Sequence, residues 1–141
     1  MNTTYRWNAR LLFLVFMAGA SCGGDGLVAP PDPPDTADPG ALAIQVDRAA
    51  ANTGAVILVV SGGPIQQGFL ATGLTGRVVK ASPTEIRMLV RGSIGLGIVG
   101  LIQVPDRRVA YSTQLLEAAA NKAGGYQVLD PSQFGLKLVK P

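Results

Sequence analysis

The sequence predicts an all-β protein built as a two-sheet antiparallel β-sandwich, on three observations. Apolar runs of strand length recur and are broken by turn residues, with 18 glycines and 10 prolines in 141 residues. The segment Glu85 to Arg91 alternates apolar and polar side chains with the period of two that a half-buried strand requires. Seven to nine short strands fit into the last hundred or so residues, roughly the number a sandwich needs. A small barrel is the rival architecture, and the absence of a fixed period excludes a repeat protein.

The elements follow in order. Leu42 to Val46 alternates and reads as a strand with one buried face. Ala55 to Val60 is apolar throughout, the pattern of a central strand covered on both sides. Ser61-Gly62-Gly63-Pro64 marks a turn. Ile65 to Ala71 and Leu74 to Ala81 are weaker strands divided by Thr72-Gly73. In Glu85 to Arg91, Ile86, Met88 and Val90 face one way, and Glu85, Arg87 and Arg91 the other. Gly97 to Val104 is a strand stopped by Pro105. Val109 to Leu116 starts as a strand, but Leu116 to Ala123 has high helical propensity. A short helix is therefore expected near 116–123, ending at Gly124-Gly125, with a longer helix from Ser112 as the alternative. Tyr126 to Leu129 and Phe134 to Val139 close the chain as strands.

Residues 1–21 read as a secretory signal: Arg6 and Arg10 precede the apolar run Leu11 to Ala18, and small residues follow. A spanning helix needs about 20 apolar residues, and this run stops well short. Gly19-Ala20-Ser21-Cys22 resembles the lipobox of bacterial lipoproteins, whose Cys is acylated and becomes the mature N-terminus. The family prefers Leu three residues before the Cys, where this chain has Gly19. Ala18-Gly19-Ala20 also fits ordinary signal cleavage, which would release a soluble protein starting at Ser21. The resemblance implies lipidation of Cys22 and a membrane partner through that anchor, because two or more acyl chains hold stably where one does not. Gly23 stands where an Asp often retains lipoproteins at the inner membrane, which points to the outer membrane or cell surface.

Residues 22–40 form a tether rich in Pro, Asp and Gly. Consecutive prolines fix φ and lack the N–H that helices and ladders need, so an extended, solvated spacer is expected, with a proline-rich recognition motif as the alternative. The tether carries Asp25, Asp32, Asp35 and Asp38 and no basic residue. The domain, 41–141, carries ten basic and five acidic residues, scattered rather than clustered. That pattern suits a solvated surface with a mild preference for anionic partners.

The domain also resembles the cohesin-type β-sandwiches of bacterial surface proteins, through Gly54 to Gly63 (GAVILVVSGG) and through Val104-Pro105-Asp106 leading to Tyr111. Cohesins bind dockerin modules and related sandwiches bind carbohydrate, so the resemblance implies a protein or glycan ligand. No contact residue of those families is matched.

Motifs for chemistry are sparse. Gly95-Leu96-Gly97-Ile98-Val99-Gly100 matches a dinucleotide fingerprint, but strand-like residues and Pro105 follow where the helix would have to start. Glycines that permit a bulge or tight sheet packing explain it better. The chain has no His and one Cys, and Ser61 and Ser93 lack a nucleophile-elbow setting. The domain's carboxylates are Asp47, Glu85, Asp106, Glu117 and Asp130, and no spacing pairs them for acid–base catalysis or metal binding. Asp106 and Asp130 are read as turn residues, with a loop calcium site as the alternative. Arg107-Arg108 alone makes no nucleic-acid surface.

The expectation is a non-enzymatic envelope lipoprotein without cofactor, metal or nucleic acid, displaying a sandwich for protein contact or a structural role. A glycan-binding module is the rival. Tyr111, Tyr126 and Phe134 discriminate: coplanar and exposed they form a sugar platform, and all buried they favour the first reading.

Overall fold

The computed structural model describes residues 36–141. The expected signal peptide, Cys22 and the tether up to residue 35 lie outside the described residues. Among the described residues nine strands form: β1 (Gly40–Arg48), β2 (Thr53–Ser61), β3 (Gln67–Leu70), β4 (Thr75–Ser82), β5 (Glu85–Arg91), β6 (Gly97–Val104), β7 (Ser112–Lys122), β8 (Gly125–Leu129) and β9 (Gly135–Val139). They make two antiparallel sheets, one of four strands in the order β3-β6-β1-β9 and one of five in the order β4-β5-β2-β7-β8. The protein is a β-sandwich.

Alternation builds the core. Ile44 and Val46 of β1 and Ile102 and Val104 of β6 meet Val56, Leu58 and Val60 of β2 and Ile86, Met88 and Val90 of β5, all of them buried. Each such side chain contributes roughly 1.5–3 kcal/mol when removed fully from water. Of the fingerprint-like glycines only Gly100 belongs to this packing, since a Cβ on Gly95 or Gly97 would meet open space. A Cβ on Gly100, in β6, would lie 2.7 Å from Met88 Cε and 2.9 Å from the Phe69 carbonyl. That glycine lets the two sheets close, and the residues after it continue β6 to Val104 with no helix.

Two expectations are corrected. No helix forms at 116–123: Leu116 to Lys122 belongs to strand β7. The 3-10 turn Pro131–Gln133 is the sole helical element among the described residues. Pairing decides the outcome, because β7 bonds to β2 on one side and β8 on the other. Its small inward residues Ala118 and Ala120 are buried in the sandwich, so tertiary context overrides helical propensity. The register slips between Ile57 and Leu58, which pair with Glu117 and Leu115, leaving Leu116 as the extra, bulged residue. Second, β2 is central in its sheet, but it is covered on one side only: Ala55, Ile57 and Val59 face outward and are half-buried.

Candidate surface on the five-stranded sheet

The outward side chains of the five-stranded sheet fall into cross-strand rungs. Arg77, Leu89, Ile57 and Glu117 form one, and Thr75, Arg91, Ala55, Ala119 and Val128 the next. Small residues in the second rung lie between larger ones. Ala55 and Ala119 make a floor, Ile57 and Leu89 rise on one side, and Tyr126 and Val128 of β8 rise on the other. The result is a shallow apolar hollow of about 230 Å³, with Glu117 also in its lining. Tyr126 is 62% exposed and Val128 81%. The charged outward residues of the same sheet are Arg77, Arg87 and Arg91 with Glu85 and Glu117, and Arg87 is paired to Glu85 at 2.9 Å.

The three discriminating aromatics separate. Phe134 is buried at 8% exposure, and the half-buried Tyr111 donates its hydroxyl to the Pro64 carbonyl at 2.8 Å. Burial raises the Tyr111 phenol pKa, and the nearby Asp106 charge adds to the shift. Tyr126 alone of the three is exposed. Phe69, 45% exposed, sits on the opposite sheet, where it pairs with Leu101. The rings form neither a common platform nor a common core.

The carboxylates considered for metal serve turns and a junction. Asp130 caps the 3-10 turn by accepting from the Ser132 amide at 2.9 Å, which lowers its pKa. Asp106 accepts from the Arg108 guanidinium at 3.0 and 2.8 Å and from the Arg108 amide at 3.0 Å. Its carboxyl is held far below the usual range, chiefly by that guanidinium. Asp38, the last acid of the tether, accepts from Arg107 at 2.6 Å and from Lys140 at 3.2 Å. These bonds lower the Asp38 pKa and raise that of Arg107. Among the described residues no three His, Cys, Asp or Glu side chains gather to hold a metal, and no helix is long and apolar enough to cross a membrane.

Sequence reasoning placed Tyr126 among the candidates but missed Ile57, Leu89, Ala55, Ala119 and Val128. The unbroken apolar run of β2 was the available signal, since a strand in a two-layer sandwich has no second layer to cover its outward half. No family model, no curated protein and no solved structure matches this chain.

Proposed function

We propose that this chain is a non-enzymatic envelope lipoprotein, anchored through Cys22, whose sandwich binds protein through the outer face of its five-stranded sheet. β2 carries the reading. Half of its apolar run is spent on Ala55, Ile57 and Val59, which point away from the core, and Ala55 and Ile57 line a hollow walled by Leu89, Tyr126 and Val128. An apolar patch that contiguous on a soluble face marks a contact site more often than an ordinary surface. A mildly charged rim around an apolar centre is the usual anatomy of a protein interface. A glycan platform is less well supported, because the hollow has one exposed ring, Tyr126, and the domain has no Trp.

Photo-crosslinking in intact cells tests the contact face. A photoreactive residue at Ile57 or Leu89 should give discrete protein adducts, and one at Lys137, on the outer face of the other sheet, should not. Adducts to glycan alone at positions 57 and 89, or no difference from position 137, would overturn the reading. Mass spectrometry of the mature N-terminus tests the anchor: acylated Cys22 is expected, and an unmodified start at Ser21 would make the protein a soluble secreted one.

A further inference from the structure

The two sheets differ by one strand, and the surplus strand is β8. β9 packs against β7 across the sandwich, whereas β8 packs chiefly against β7, its neighbour in its own sheet. Of its five residues four are exposed, so β8 overhangs the sandwich with a free edge. Free edges invite pairing with another strand and are usually guarded by charge or proline. The edge strand β4 carries Arg77 and Lys80, and β9 carries Lys137. β3 lacks charge but is only four residues long and lies against β4 of the opposite sheet. β8, Gly-Tyr-Gln-Val-Leu, has neither charge nor proline.

We propose that β8 is the seam of a homodimer, in which two copies pair their β8 strands antiparallel about Gln127 and join their five-stranded sheets into one of ten strands. The inference rests on reading this sheet as a protein-contact surface, and it names a second copy as the occupant of its edge. Backbone parity allows the pairing. Lys122 and Gly125 flank the two-residue turn at Ala123-Gly124, where the positive φ of 91° at Gly124 fits the second central position of a type II turn. Such a turn is closed by a hydrogen-bonded pair, and alternation along the ladder makes Gln127 bond inward to Ala120, with Tyr126 and Val128 presenting N–H and C=O groups at the free edge. Centring two β8 strands on Gln127 sets Tyr126 opposite the partner's Val128, and the reverse, so both edge groups of each residue are satisfied.

Side chains agree with that register. Tyr126 and Val128 stand on the outer face, so each aromatic ring meets a β-branched side chain across the seam, a favourable cross-strand pair. The apolar hollow of one copy then continues into that of the other. A single strand pair is a small interface, so the association is expected to be weak in solution.

The test is a disulfide at the axis. Gln127 would face the partner's Gln127 as a non-hydrogen-bonded pair, with Cα atoms about 4.5 Å apart, inside the range a disulfide spans. In cells expressing the full chain, Gln127→Cys treated with diamide as oxidant should give a covalent dimer on a non-reducing gel. The parent chain, whose one cysteine is Cys22, and Gln67→Cys on the β3 edge should not. Adding Val128→Pro, which removes an edge N–H that β7 does not use, should cut the dimer at least tenfold. Val128→Lys, which keeps that N–H but repels its symmetry mate across the seam, should do the same. Equal cross-linking at positions 67 and 127, or a dimer indifferent to both Val128 variants, overturns the proposal. If the dimer fails while photo-adducts at Ile57 persist, a different protein occupies the face and the contact reading survives. If both fail, the contact reading falls with it.

Discussion

Asp38 illustrates how far a single residue can depart from its setting in the sequence. It sits in a run of aspartates that reads as solvated spacer, yet Arg107 and Lys140 hold it, and its backbone amide donates to Asp106 at 3.3 Å. Nothing local in the sequence joins residues 69 and 102 positions apart, so only the fold makes this junction visible. Because the folded state lowers its pKa, ionised Asp38 contributes stability above the ordinary carboxyl value of 3.8, and that contribution is lost as pH falls through the lower folded value. Denaturant unfolding of Asp38→Asn should therefore show a shallower loss of stability than the parent below pH 4, and curves that stay parallel would contradict the clamp. Tyr111 gives a simpler case. Its hydroxyl ties the segment before β7 to the turn after β2, and Tyr111→Phe should cost about 1 kcal/mol. A shift in urea midpoint with unchanged slope would register it.

Among the elements, β5 and β6 were legible to the residue, because alternation and a terminating proline are local signals. β7 was not. Leu116 to Ala123 carries the propensity of a helix, and what makes it a strand is the pairing with β2 and β8, supplied by residues far away in sequence. That conflict predicts a gain. Ala119 points outward between Ala55 and Val128 and is half-buried, so Ala119→Val replaces a weak strand former with a strong one where space exists. The change should raise stability by up to about 1 kcal/mol, the span of strand propensity in a host protein. A lower midpoint in urea would mean that the segment's helical preference does not burden the fold. Gly100 in β6 predicts the reverse: Gly100→Ala drives a methyl group against Met88 and should cost roughly 1–3 kcal/mol through overpacking.

At the level of the whole molecule, a sandwich of four strands over five was readable as a class but not as a topology. Strand count and apolar pattern report how many faces must be buried; they do not report which strand lies against which. The candidate surface depends on that second kind of information. Ile57 and Val128 are 71 positions apart, and Leu89 joins them only because β5, β2, β7 and β8 are neighbours in one sheet. The outward half of an apolar strand, a floor of two alanines and an overhanging edge then become one surface. Its occupancy in the cell can be measured through thiol labelling of the full chain, comparing Glu117→Cys beside the hollow with Lys137→Cys on the other sheet. With the face engaged by protein, maleimide should react with position 117 several-fold more slowly in intact envelopes than in the purified chain, while position 137 reacts equally in both. Equal rates at position 117 in the two preparations would contradict the account.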